Sequence, residues 1–384
     1  MHDLNEAANN RGFSIRSLIQ AIGVPTIIIA SLWTITLILG TMYGLGLTVM
    51  LTDTIRRFGM NAVLVLAMVP AIQSGTGPNF ALPIGIVCGL LAMVLCIEMG
   101  LESWNWLLCS GALAIVFAII LGIIYGKLMN AVKGSEMTIA TYTGYSITAI
   151  MCLVWLMVPF KNPKMGWFIG KGLRETIQLD TIKAAQILNS GSYTSGAFSI
   201  TRLFASDSFA GIPVPMGVTI FKIYFPLGMI AVFLLLCFLM WLFFRSRTGI
   251  AVIAVGQNPS FARANGLNID KSRTIANVLS TVLAALGIII YSQSFGFMQL
   301  YTAPQNMTFT TVAAVLIGGA TAQRAKISHV VIGTILFQGL LATALPVANK
   351  IFQGTDLSEM LRSVIQNGII LFALTQVKGG GSDA

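Results

Sequence analysis

The residues able to do chemistry are few in this chain of 384 residues, and they lie far apart. Of the two histidines, His2 is near the start and His329 stands alone at the head of an apolar run, so neither has a partner for a metal site or proton relay. The five cysteines, Cys88, Cys96, Cys109, Cys152 and Cys237, sit inside apolar runs without CxxC spacing and read as buried reduced thiols. Gly122–Lys127 reads GIIYGK, one residue short of a phosphate-binding loop and without its Ser or Thr. We therefore expect no metal, no cofactor and no catalytic residue on this polypeptide. Any energy for its work must come through a partner.

One polar stretch is more ordered than a connector needs to be. Phe244–Asp270 reads FRSRTGIAVIAVGQNPSFARANGLNID. Asn258 as N-cap and Pro259 at the first helical position predict a short helix over Ser260–Asn265, ended by Gly266. Ala262 and Ala264 keep that helix slim, while Phe261 and Leu267 offer apolar contact. Such a helix suits a groove on another protein; on local physics alone an interfacial connector fits equally well.

The surrounding composition says what positions this stretch. Hydrophobic residues make up 56% of the chain and charged residues 9%, with a mean hydropathy of +0.84. A soluble domain carries about 25% charged residues, so this surface faces lipid. The net charge of +10 does not imply a nucleic-acid partner, because the basic residues fall in short breaks between apolar runs and no basic face carries stacking aromatics. Runs long enough to cross about 30 Å of hydrocarbon predict an all-α polytopic membrane protein with ten spans. They lie near 22–44, 55–72, 81–99, 106–126, 137–160, 217–244, 272–294, 309–323, 327–347 and 358–377. The second and eighth are short and glycine-interrupted, as broken or re-entrant helices are.

The expected organisation is a cytoplasmic segment at 1–21, an N-terminal membrane half at 22–160, an extracytoplasmic insertion at 161–216, a C-terminal half at 217–377 holding the loop 245–271, and a disordered tail at 378–384. With both termini inside, the basic breaks at 127–136, 245–271 and 320–328 all face the cytoplasm. Arg56 and Arg57 then open the second span from the outer side, against that pattern. In the insertion, Gly172–Leu188 has the spacing of an amphipathic helix burying Leu173, Ile177, Ile182 and Ile187; a docking platform and a flexible loop are both open readings. The ionisable residues near the spans (Arg56, Arg57, Lys222, Arg273, His329, Glu359, Arg362) fall close to segment ends, which leaves no intramembrane carboxylate for a proton-coupled carrier.

Ala254–Asn268, AVGQNPSFARANGLN, resembles the coupling loop of ABC-importer permeases in the ribose and simple-sugar family, which are related to branched-chain amino acid and nucleoside permeases. Arg247-Thr248-Gly249 matches the lead of the family pattern, and Gly256, Asn258, Ala262 and Gly266 its fixed positions, while the second alanine is replaced by Arg263 or slips to Ala264, and Leu267 replaces an isoleucine. Ala313–Ala320, AAVLIGGA, is similar to a second family motif. Ser74–Gly85 takes the place of a G-G-I-D-L-S-V-G run, with Asn79 at the acidic position and Ala81 at the serine.

The resemblance implies a permease subunit in a prokaryotic inner membrane, paired with a second, identical or homologous permease. Two ATP-binding-cassette ATPases that use ATP and Mg would engage Gly256, Asn258, Pro259, Phe261, Ala262, Arg263 and Gly266. An extracytoplasmic solute-binding protein would deliver a sugar or similar small polar solute. Gln73, Ser74, Asn79, Phe80, Gly318, Gly319 and Thr321 would line the path or let helices approach closely. Nucleosides, sugar-like signalling molecules and branched-chain amino acids are the alternative solutes. An ion-coupled carrier or channel working without an ATPase is the alternative class.

Overall fold

The computed structural model describes residues 24–166, 172–185, 187–188, 198–199, 208–209, 212–213, 218–220, 223–351, 363–364, 367–368 and 371. The expected cytoplasmic segment 1–21 and tail 378–384 fall outside them, as does most of the tenth span; its described residues 363–364, 367–368 and 371 are helical.

The chain is an all-α membrane bundle with small β elements at one end. It runs α1 (Val24–Met42), α2 (Leu47–Leu66), α3 (Met68–Gln73), α4 (Pro83–Glu98), α5 (Ser103–Ala131) and α6 (Glu136–Met157). After the insertion come α7 (Leu227–Arg245), α8 (Arg247–Gln257), α9 (Pro259–Ala264), α10 (Ile269–Phe295), α11 (Ala303–Ile317) and α12 (Ile327–Ile351). Among the described residues, seven helical stretches are long and apolar enough to cross a membrane, counting α2 and α3 as one; α4 and α11, with 16 and 15 residues, are shorter.

The second span differs from the sequence expectation. It starts at Leu47 rather than 55, so Asp53, Arg56 and Arg57 lie within the helix instead of opening it. Charged residues on one face depressed the local hydropathy and hid the helix start. The expected interruption falls at Ala67, between α2 and α3, where Pro70 has no N–H to donate back to Leu66. Ser280 of α10 donates to the Ala67 carbonyl at 2.7 Å, so a neighbouring helix satisfies the irregular backbone.

The sixth span is also shorter than expected. In place of a helix from 217, Val218–Ile220 (β5) pairs antiparallel with Ile223–Phe225 (β6) and with Phe198–Ser199 (β2), while Ser208–Phe209 (β3) pairs with Ile212–Pro213 (β4). β-branched and aromatic residues fill β5 and β6, and Pro226 marks the entry to α7.

Gly172–Leu188 is not the amphipathic helix its spacing allowed. Thr176–Gln178 (β1) pairs antiparallel with Phe297–Gln299 (β7), and Asp180–Ile182 forms one 3₁₀ turn. Positive φ angles at Gly172 (+114°) and Lys183 (+54°) break any helix there. Leu173, Ile177, Ile182 and Ile187 are nevertheless all buried, as the spacing required.

α10 is the central helix and packs against α2, α4 and α5. The outer helices α5, α6 and α7 present Ile120, Ile124, Leu153 and Phe238 outward, a surface only lipid or a membrane partner covers. At the end of α7, the Arg245 guanidinium lies 4.0 Å from the centre of the Trp241 ring, a pairing suited to the membrane–water boundary.

Candidate functional site

The three basic breaks come together at one end of the bundle. Lys133 pairs with Asp270 at 2.7 Å, and Arg273 with Glu136 at 2.6 Å. Arg273 also donates to the Gly75 carbonyl at 3.5 Å, and Gln73 to the Ala325 carbonyl. The turn after α3, the entry to α6, the loop before α10 and the loop before α12 thus form one layer.

α8 and α9 cross that layer. Asn258 accepts the Phe261 N–H at 2.9 Å, Pro259 occupies the first turn, and Gly266 ends the helix with φ +76°. The helix predicted from the caps is therefore present, one residue earlier at each end than read from sequence. Ala262 is fully buried against the chain, whereas Phe261 is 63% exposed and its ring faces away. Arg263 and Pro259 border a cavity of about 360 Å³ with Ser74, Gly75, Gly256 and Arg273.

Gly256 fixes how close α8 approaches. A Cβ there would overlap the Gln73 carbonyl, and a Cβ on Gly75 would lie 3.0 Å from the Gly256 Cα. A second seam of this kind joins α11 to α12, where side chains on Gly318 or Gly333 would overlap the carbonyls of His329 and Ala314. Gly318 is buried and Thr321 exposed, and the Thr321 hydroxyl accepts the Arg324 N–H at 3.1 Å.

Asn79 lies inside the bundle. Its amide donates to the Ser280 hydroxyl at 2.8 Å and accepts from the Ala81 N–H at 3.0 Å and the Tyr125 hydroxyl at 3.1 Å. Ser74 is buried, with its hydroxyl on the Ala71 carbonyl at 2.8 Å, and Phe80 borders an apolar crevice with Pro83 and Phe309.

A cavity of about 670 Å³ lies at the opposite end, between α2, the end of α10, the start of α11 and α12, with Ser363 and Asn367 also lining it. Asp53, Arg56, Arg57 and Asn61 line it from α2, Gln299, Thr302 and Asn306 from the rim, and Gln338 from α12. None of Gln73, Ser74, Asn79, Phe80, Gly318, Gly319 and Thr321 is among its lining residues. Sequence reasoning missed this constellation because the span was begun too late, which placed the Asp53 carboxylate outside the membrane segment. The signal was present as Asp53, Arg56, Arg57 and Asn61, spaced along one helix face.

Long apolar helices around a polar cavity, with a broken helix and a capped surface helix at the far end, define a multi-pass membrane protein. A family model described as branched-chain amino acid transport system / permease component matches residues 18–374, and the chain belongs to this family of ABC-type permeases. It is also similar to the autoinducer 2 import system permease protein LsrC of Enterobacter sp. (strain 638), at 32% identity over 107 residues. That match spans 28% of this chain and 29% of the relative's length. No solved structure matches the chain. The protein is thus a multi-pass inner-membrane member of this permease family.

Proposed function

We propose that the chain is the path-forming subunit of an ATP-driven importer for a sugar or similar small polar solute. The observation that carries this reading is the span Leu47–Gln73, one membrane crossing whose single break at Ala67 is braced by Ser280. Its first half walls the large cavity, and its last residue meets Gly256 beneath the capped helix α9. Force applied to Asn258–Gly266 by an ATPase reaches the cavity along α3 and α2, across the break that Ser280 braces.

In this reading Phe261 is the anchor that enters a groove on the ATPase, and Ala262, Pro259 and the two caps hold it upright. Arg263 faces the same layer. ATP and Mg belong to the partner. Gln73, Ser74, Gly318, Gly319 and Thr321 form the closed seam at the coupling end, which opens when α8 is displaced; Asn79 and Phe80 hold the inner helices together. A second permease copy or homologue covers an outward apolar face, and the 161–188 segment offers the docking surface for a solute-binding protein. The relative's name, an autoinducer 2 import permease, supports import of a small polar solute of that kind.

The test is to tag the chain, extract it gently from its native membrane and identify what co-purifies, then reconstitute the assembly in liposomes. An ATPase co-purifying, with solute uptake that requires ATP, is the expected result. A chain that purifies alone and moves solute without ATP overturns the reading.

A further inference from the structure

The two arginines of α2 are the feature the permease reading leaves unused. Among the described residues, Arg56 and Arg57 have no carboxylate within 4.0 Å, although both are only partly exposed on the wall of the 670 Å³ cavity. Arg56 donates to the Ser294 carbonyl at 3.3 Å through one terminal nitrogen, while its buried Nε has no partner. Among the described residues that line the cavity, Asp53 is the one acidic side chain against these two guanidiniums, so the described wall carries a net positive charge.

The contrast with the coupling end is instructive. There Lys133 and Arg273 border a smaller cavity and are neutralised, by Asp270 and Glu136, while its third cation, Arg263, is exposed rather than half-buried. A half-buried cation without a partner is unfavourable unless an anion completes it. Guanidinium is also the group whose planar fork matches carboxylate and phosphate oxygens.

The rest of the wall fits the remainder of such a solute. Asn61, Asn306 and Gln338 offer amide donors and acceptors for hydroxyl groups. The rings of Tyr291 and Phe295, with centroids 5.3 Å apart, give an apolar patch for a sugar face. We propose that this cavity is a transit site for a carbohydrate bearing one carboxylate or phosphate group, with Arg57 receiving the anion and Arg56, held by Ser294, orienting beside it. The inference rests on the permease reading and narrows its solute class. A transit site must also release what it binds, and Asp53 beside the arginines keeps the attraction moderate.

The experiment uses the assembly purified with its ATPase, in nanodiscs of phosphatidylcholine. Equilibrium binding is measured for D-glucuronate and D-ribose 5-phosphate, each against its neutral parent sugar. At least one anionic probe is expected to bind ten-fold or more tightly than its parent. That preference should vanish in Arg57→Gln and persist in Arg57→Lys, whose co-purification with the ATPase serves as the folding check. Equal binding of anionic and neutral probes, or a preference unchanged in Arg57→Gln, overturns the proposal. A competing source of the same chemistry is a lipid headgroup. Probe binding abolished when phosphatidylglycerol replaces part of the phosphatidylcholine, with Arg57→Gln insensitive to the exchange, would assign the site to lipid and overturn the solute assignment. Failure of the ATPase to co-purify with the wild-type chain would count against the permease reading alone, since probe binding needs no hydrolysis.

Discussion

Gly256 of α8 lies on the Gln73 carbonyl at the end of α3, with no room for a side chain between them. Gln73 in turn donates its side-chain amide to the Ala325 carbonyl in the loop ahead of α12. Three segments distant in sequence therefore move together or break contact. The helix that meets the cytoplasmic partner in our proposal rests on this joint.

Gly256→Val tests the joint. Its branched side chain must displace backbone, and overpacking of this kind destabilises by about 1–3 kcal/mol. We expect the ATPase to remain bound while uptake falls at least ten-fold, measured as transport per ATP hydrolysed in liposomes. Gly266→Ala is the comparison at the end of the coupling helix: its Cβ meets nothing within 4 Å, so only the left-handed backbone angle is strained, at about 1–2 kcal/mol, and the fall in uptake should be smaller. Equal uptake in Gly256→Val and wild type would show that the joint does not transmit force.

Asn258→Ala removes the cap of α9 and should weaken that helix by about 1 kcal/mol. Faster amide exchange over residues 261–264 is the expected signature, with lower affinity for the ATPase. Asn258→Asp keeps an acceptor and should restore protection.

The Arg273–Glu136 pair is more enclosed than the Lys133–Asp270 and Lys164–Glu102 pairs, with side chains 9% and 17% exposed. It ties the entry of α10 to the entry of α6 beneath the coupling helix. A double-mutant cycle with Arg273→Gln and Glu136→Gln should give a coupling energy of about 1–3 kcal/mol, read from thermal unfolding in detergent. Each single variant should be less stable than the double, because it leaves one charge enclosed without its partner. Additive effects of the two changes would mean the pair contributes nothing specific.

Much of this architecture was legible in the sequence, for reasons that can be stated. Apolar run length placed α1, α4, α5, α6, α10 and α12, because a bilayer demands about 20 such residues whatever the tertiary contacts. Caps made α9 readable, since Asn258, Pro259 and Gly266 act within one turn of themselves. The start of α2 was not legible, because Asp53, Arg56 and Arg57 face a polar cavity that only the assembled bundle creates. For the same reason the partners of Asn79 were hidden: Tyr125 and Ser280 are 46 and 201 residues away. β1 was not legible as a strand, because the partner strand that fixes it lies beyond α10.

Asn79→Leu tests the interior role of that amide. It leaves the Ala81 N–H and the Tyr125 hydroxyl without their acceptor, and each buried group stranded in this way costs about 1–3 kcal/mol. We expect a lower melting temperature with an unchanged KM for uptake of the native solute. A raised KM with normal stability would instead place Asn79 on the path.

Ile177 is buried in β1 directly opposite Met298 of β7, and Gln299 in the same strand reaches the rim of the large cavity. The insertion and the cavity mouth thus share one two-stranded sheet, reinforced where the Leu300 N–H donates to the Glu175 carbonyl at 3.1 Å and the Leu179 N–H to the Gly296 carbonyl at 2.9 Å. Ile177→Ala should loosen that sheet by about 2–5 kcal/mol, the usual range for such a truncation in a packed site. Amide exchange should quicken at 297–300 as well as at 176–179, while α9 keeps its protection. If the docking surface proposed for 161–188 signals to the cavity, hydrolysis stimulated by the solute-binding protein should fall and basal hydrolysis persist. Stimulation at the wild-type level, with exchange at 297–300 visibly faster, would separate docking from the sheet and place the signal elsewhere.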